Sequence, residues 1–266
     1  MKISVITPCR NSEKTIERTI RSVLGQDSGF DLEYILVDGE SSDSTLDVIR
    51  GYAERYPQIR YISEKDRSMT EALNKGVKMA TGDLLATINA DDMYLPGCFK
   101  QVEREFRNNA VNVLMVNSYI VNDAGMVKSH NTPKRFSPLL CAFAECPFPE
   151  CGIFFRREVF DKIGLFNEKI KYTQDLEFYL RVFSAGYQFD YADIDASCFF
   201  VSDTNYSSTI GQKMRDEVTS YFPYPGLYKS FSGGISSKAF RALTGLRHYY
   251  LVKPELNKIL ASMENT

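Results

Sequence analysis

The chain has 266 residues, 44% hydrophobic and 25% charged, a mixture that can bury a large core and is neither disordered nor fibrous. Thirty-two Lys and Arg against 34 Asp and Glu leave a net charge of −2, which removes the general electrostatic case for nucleic acid, so no such partner is expected. No apolar run approaches the ~18 residues of a membrane span, the first residues lack the apolar centre of a signal peptide, and a cytoplasmic location is expected.

Residues 3–7 read as a first strand, and Asn11 or Ser12 as the cap of a helix whose Ile16, Ile20, Val23 and Leu24 share one face and which stops near Gly25. Residues 34–38 form a second strand that runs into a polar loop. There Ser44 with Asp47 reads as a capping box for a helix carrying Val48, Ile49, Tyr52 and Tyr56. A strand at 60–63, a helix at 70–80 with a stop at Gly82 and a strand at 84–89 repeat the unit. After Asp91 and Asp92, Pro96 opens a helix bearing Val102 and Phe106. This alternation predicts an α/β fold with a Rossmann-like, mostly parallel sheet flanked by helices.

From residue 111 the rhythm changes. Residues 111–121 and 126–127, joined through 122–125, predict a hairpin and hence a small antiparallel addition. A proline-rich loop, a strand at 152–156 and helices near 158–163 and 175–184 follow. The expected organisation is one domain over 1–211, with halves 1–110 and 111–211, and a C-terminal extension over 212–266. Residues 212–258 hold eight Lys and Arg against three acids, interleaved with aromatics such as Tyr221, Phe222, Tyr249 and Tyr250. That composition suits peripheral contact with an anionic membrane through 212–258; packing on the chain's own domain, or a dimer contact, would produce the same aromatics. The six cysteines (9, 98, 141, 146, 151 and 198) contain no CxxC pair and read as reduced thiols.

In an open α/β sheet ligands bind at the carboxyl ends of the parallel strands. Here those ends carry acids: Asp38 after the second strand, Asp66 after the third, Asp91 and Asp92 after the fourth. Carboxylates so grouped repel unless a cation or a hydroxyl-rich ligand compensates them. Oxygen ligands suit Mg²⁺ or Mn²⁺, which complete their shells with substrate phosphates and so imply a nucleoside diphosphate. Taken singly, the same acids read as turn and cap residues.

The segments ISVITPCRN (3–11), YILVDGESSDST (34–45), SEKDRSMTEALNKGVKMATGDLLATINADD (63–92), FFRREVFDKIGLFNE (154–168) and TQDLEFYLRV (173–182) resemble, in order and spacing, the successive blocks of family 2 glycosyltransferases of the GT-A fold. The resemblance implies an inverting transferase that takes a sugar from a nucleotide diphosphate donor, UDP by default, to a glycan or lipid-linked acceptor. It places Thr7, Pro8 and Asn11 beside the nucleotide, Asp38 and Asp66 on base and ribose, and Asn74 and Lys75 on the donor side, where Lys75 can meet phosphate. Asp91 and Asp92 match the DXD metal motif, the first toward ribose and metal, the second as metal ligand, with Mn²⁺ or Mg²⁺ as cofactor. Asn89 stands where an acid is frequent, which leaves one charge fewer.

Asp175 matches the family's catalytic base, the carboxylate that takes the acceptor hydroxyl proton. It also opens a helix, where a carboxylate is a plain dipole partner. Gln174 replaces the acid that often precedes it. Arg181 reads as a structural or phosphate partner, and His130 and His248 as non-catalytic. Two other readings stand beside the transferase: a sugar nucleotidylyltransferase, disfavoured because the first loop has no glycine, and a catalytically silent nucleotide-binding scaffold.

Overall fold

The computed structural model describes residues 1–26, 29–133, 135–136, 148–201 and 211–221. Strands β1 (Lys2–Cys9), β2 (Asp31–Asp38), β3 (Ile59–Ser63) and β4 (Leu84–Thr87) are parallel and lie in the order β3-β2-β1-β4. Both faces of this sheet are covered, so the strands read as continuous apolar runs instead of alternating ones. Ile3, Val5, Tyr34, Leu36, Leu84 and Ala86 face one core, shared with Ile16, Ile20 and Val23 of helix α1 (Ile16–Leu24) and Ile49 of α2 (Thr45–Ala53). Ile6, Ile35, Val37 and Leu85 face the other, with Leu73 and Val77 of α3 (Met69–Met79).

Register brings the carboxyl ends of the parallel strands to one level. Cys9 pairs with Asp38, Asp38 with Ser63, and Ile6 with Thr87. Pro8, which has no N–H to donate, lies beyond the last β1 residue paired with β4, where the ladder on that side has ended.

The second half extends the same sheet. β5 (Met93–Tyr94) and helix α4 (Cys98–Phe106) precede β6 (Val113–Asn122), which pairs with β7 (Val127–Asn131) as the expected hairpin. β8 (Ile153–Arg156), entered through a 3-10 turn over Glu150–Gly152, runs antiparallel between β4 and β6. After α5 (Arg157–Ile163) and α6 (Gln174–Ser184), β9 (Phe189–Val201) lies parallel to β6 and antiparallel to β5. A further helix, α7 (Gly211–Tyr221), ends the described residues. The antiparallel part therefore includes β5 and β8 as well as the hairpin.

Several local expectations are corrected. The N-cap of α1 is Thr15, without a side-chain cap bond, and the backbone carbonyl of Ser12 takes the first amides. Ser44 caps α2 without its side chain; Asp43 instead accepts the Thr45 amide at 3.0 Å and its hydroxyl at 2.6 Å. The fourth strand stops at Thr87, and the helix after Pro96 starts at Cys98, behind Gly97 at φ 75°. The expected start of the C-terminal extension falls within α7. Residues 202–210 and 222–266, with most of the basic aromatic tail and His248, lie outside the described residues, as do Cys141 and Cys146. Among the described residues no helix is long and apolar enough to cross a membrane, and Cys9, Cys98, Cys151 and Cys198 are buried free thiols.

Two helical glycines predict opposite responses. A Cβ on Gly76 would stand 2.3 Å from Ile6 Cγ2, where α3 crosses β1, whereas one on Gly51 in α2 meets nothing within 4 Å. Gly76→Ala should cost about 1–3 kcal/mol through overpacking, and Gly51→Ala should gain about 0.5–1 kcal/mol. Urea unfolding of the two variants checks both signs; a neutral Gly76→Ala would contradict the close crossing.

Candidate active site

Two loops meet above the ends of β1 and β2. Asp38 is fully buried and accepts hydrogen bonds from the Ser63 hydroxyl at 2.6 Å and the Ser41 amide at 3.2 Å, with the Ser41 hydroxyl as a third donor. Asn11 adopts the left-handed conformation (φ 52°), which Asn tolerates better than most residues. From there its amide donates to Ser41 Oγ and its side-chain oxygen accepts the Ser42 amide, both at 2.9 Å. Asn11 thus stitches the loop after β1 to the loop after β2.

Asp66 lies beside the same loops: a Cβ built on Gly39 would lie 3.5 Å from both Asp66 Oδ2 and Arg10 Cδ. Burial lifts the Asp66 carboxyl above its ordinary range, and Lys75, 2.6 Å away, pulls it part of the way back. Lys75 also pairs with Glu64 at 2.7 Å, so the cation expected to meet phosphate is held by two acids. Asn74 is likewise engaged: its amide donates to the Phe166 carbonyl at 2.9 Å and accepts the Phe166 amide at 3.0 Å. That exchange ties α3 to the loop before α6. Thr7 and Pro8 are strand residues, not loop residues. Thr7 is buried with its hydroxyl 3.1 Å from that of Tyr34, because β1 stays paired with β2 as far as Cys9.

The structure brings together a second row of acids from distant parts of the chain. Asp92 is fully buried; its Oδ1 accepts the Phe200 amide of β9 at 2.9 Å, and Asn89 lies 3.4 Å from Oδ2. These contacts turn it inward. Asp91 keeps more exposure and has the charge of Arg18 nearby, while Arg18 also donates to the Asp91 carbonyl at 2.7 Å and covers the Phe200 ring.

Glu150, on the 3-10 turn before β8, is the member that sequence reasoning missed. Burial and the charge of Asp175 push its carboxyl up to about 7. Asp175 opens α6; burial raises its carboxyl, backbone amides at the helix start draw it down, and Glu217 of α7 raises it further. Asp91 and Glu150 both act on Asp92, Asp175 acts on Glu150, and Glu217 acts on Asp175. The acids therefore form one interacting row from the end of β4 to the start of α6. The Pro149–Glu150 context sits in a proline-rich loop, and nothing in its local pattern announces an acid at a ligand site.

The donor set bears on a divalent ion. Among the described residues no group of three or more His, Cys, Asp or Glu side chains is placed to cage a metal. The acid that remains partly exposed is Asp91. One or two protein carboxylates completed by substrate oxygens is the usual Mg²⁺ or Mn²⁺ arrangement, and these residues fit it. Among the described residues Glu150 Oε1 and Gln174 Oε1 are buried without a hydrogen-bond partner, which suits a ligand rich in hydroxyls.

Two further residues are structural. Arg181 pairs with Glu177 at 2.9 Å and donates to the carbonyls of Ile163 and Leu165 at 3.0 and 2.7 Å. His130 stacks on Tyr119 with ring centroids 4.3 Å apart and bonds Asp195 at 2.8 Å.

Residues 4–164 match the family described as Glycosyl transferase family 2. An uncharacterized glycosyltransferase, alr2836 of Nostoc sp., is 31% identical over 172 residues, covering 61% of this chain and 53% of its own length. The chain spans about half the length of the first curated relatives it matches. Among solved structures, S. aureus TarS (residues 1–349) in complex with UDP-GlcNAc superposes with a TM-score of 0.64 at 19% identity, covering 99% of this chain and 79% of that one. The mannosyltransferase PcManGT of Pyrobaculum calidifontis, in complex with GDP-Man and Mn²⁺, gives a TM-score of 0.64 at 19% identity, covering 98% and 73%. These likenesses show the fold.

The raised Glu150 carboxyl predicts a pH-dependent cost. The folded chain keeps the Glu150 proton up to about 7, whereas the unfolded chain releases it near the ordinary value of 4.5, so stability falls as pH rises through that window. Glu150→Gln cannot ionise. Its stability relative to the parent chain should increase on the order of 2 kcal/mol between about pH 5 and about pH 8. Thermal unfolding across that range checks it, and a constant difference would refute the buried, protonated acid.

Proposed function

The chain belongs to glycosyl transferase family 2, and from that premise we propose that it moves a sugar from a nucleotide diphosphate donor, preferably UDP-linked, to a hydroxyl of a glycan or lipid-linked acceptor with inversion. The observation that carries the reading is the interacting row of acids from Asp91 through Glu150 to Asp175. It connects the strand ends, where a nucleotide binds in such sheets, to a carboxylate at a helix start some eighty residues further along the chain.

Asp175 is the general base. Its carboxylate accepts the acceptor hydroxyl proton as that oxygen attacks the anomeric carbon, opposite the departing diphosphate. The backbone amides at the start of α6 favour the charged form that this role needs. Asp38, Asn11 and Asp66 line the nucleoside hollow. The bonds from Ser41 and Ser63 fix the Asp38 carboxylate, and Lys75 neutralises Asp66. Asn74 and Lys75 serve the donor site by holding its walls.

Asp91 would hold a divalent ion, Mn²⁺ or Mg²⁺, which when bound supplies positive charge to the leaving diphosphate. Arg18 places a fixed cation at the same acid. Its guanidinium is oriented by the Asp91 carbonyl and the Phe200 ring.

Calorimetry with UDP, GDP, dTDP and their sugar conjugates, each with Mn²⁺, Mg²⁺ or EDTA, tests the donor half. Binding of one nucleotide should require metal and be lost in Asp91→Ala. Asp175→Asn should bind donor as the parent does while kcat drops about 10²–10⁴-fold. A variant that transfers sugar at the parental rate removes Asp175 from the chemistry, and a parent chain that binds nucleotide without transferring is a scaffold.

A further inference from the structure

The loop that enters α6 presents three successive backbone N–H groups to one side chain of α7. Lys171 donates to Glu217 Oε1 at 2.7 Å, and Tyr172 and Thr173 donate to Glu217 Oε2 at 2.9 Å each. The Thr173 hydroxyl donates to the same oxygen at 2.9 Å and accepts from the Tyr221 hydroxyl at 2.8 Å. Glu217 and Tyr221 lie one turn apart on α7, and Val218 between them is buried in the core that also holds Leu176 and Phe178 of α6. An anion ringed by four donors is a strong, directional anchor.

A second observation points the same way. Thr173 is the N-cap of α6, a position where a threonine hydroxyl ordinarily accepts an amide of the first turn. Here it makes no such bond and faces Glu217 and Tyr221 instead. The helix start gives up its local cap to be held from outside, two residues before Asp175.

We propose that Glu217 and Tyr221 are positioning residues for Asp175, so that helix 211–221 belongs to the catalytic apparatus and not to a detachable tail. The inference rests on Asp175 as the base. A rigid anchor at Lys171, Tyr172 and Thr173 fixes the first turn of α6, through the Thr173 carbonyl that accepts the Glu177 amide at 3.1 Å, and with it the direction of the Asp175 side chain. The charges that act at this point are Glu217 on α7 and, from the turn before β8, Glu150, which interacts with Asp175. Glu217 holds the Asp175 proton more tightly, so removing its charge moves the acid limb of the rate profile to lower pH.

The test uses the full chain with Glu217→Ala, Glu217→Gln, Glu217→Asp and Tyr221→Phe. For Glu217→Ala the expected result is unchanged donor affinity and donor KM, a kcat lower by about 10²-fold, as for a small misplacement of a reacting group, and an acid limb displaced to lower pH. Glu217→Gln should show the same displacement with a smaller loss of kcat, Glu217→Asp should recover part of the rate without the displacement, and Tyr221→Phe should lose rate without it. Parental kcat with a parental pH profile in Glu217→Ala overturns the proposal. So does a loss of kcat that merely follows lost donor affinity and lowered thermal midpoint while the acid limb stays in place. A parent chain without any transfer or donor hydrolysis would instead refute the transferase reading. The anchor is then judged alone by hydrogen exchange: Lys171, Tyr172 and Thr173 amides protected in the parent and released in Glu217→Ala support it, and the same amides unprotected in the parent refute it.

Discussion

Carboxyl groups that cannot all be ionised together govern this molecule. Asp91, Asp92, Glu150 and Asp175 lie within electrostatic reach of one another in a largely buried row, and burial raises every one of them. Removing a carboxylate from water is tolerated only where protons, amides or cations compensate it. The fold supplies each remedy in turn: a β9 amide and Asn89 for Asp92, Arg18 for Asp91, a retained proton for Glu150, and a helix start for Asp175. What remains under-compensated is the exposed side of Asp91 and the space beside Glu150 and Gln174. That imbalance is what a cationic, hydroxyl-rich ligand complex would relieve.

The parallel sheet makes this row possible. Register between β1, β2 and β3 sets Cys9, Asp38 and Ser63 at one level, and the loops leaving that level are bonded to one another instead of to solvent. Asn11 to Ser41 and Ser42 joins two loops, Asp38 to Ser63 joins two strand ends, and Lys75 of α3 reaches Asp66 and Glu64 in the loop after β3. The surface proposed to take the nucleoside is therefore held in shape by the chain's own bonds. Preorganisation of this sort lowers the ordering cost of binding.

Much of the first half was legible in the sequence. The strand and helix periodicities, the hairpin after residue 111 and the acids at the strand ends all follow from spacing, since each depends on neighbours in the chain. The loops were less legible. Asn11 looks like a helix cap and is instead a left-handed stitch, Ser44 yields its capping role to Asp43, and Lys75 looks like a phosphate cation but faces two acids. The Asn11 and Lys75 contacts depend on partners outside their own element, whereas the Asp43 cap lies two residues from Thr45 and was open to a closer reading. Asp92 and Glu150 carry the same lesson further: Asp92 is turned inward by the Phe200 amide of β9, 108 residues along the chain, and the charge acting on Glu150 comes from Asp175, so the residue pattern around each holds no trace of its setting. The anchoring of 171–173 by α7 could not be read at all, because its donors are backbone amides that every sequence possesses.

The pairing of Asp92 with the Phe200 amide has a consequence for how the chain is made. Among the described residues β9 is the last strand, and it lies between β6 and β5 in the sheet. During synthesis the first hundred residues emerge with all four parallel strands, yet Asp92 lacks its β9 amide partner until residue 200 has followed. A chain halted short of β9 leaves Asp92 without the Phe200 amide, and an open strand edge where β6 awaits its neighbour. The first half of the sheet is thus tied to the second, and this part of the fold is complete only once β9 has been made.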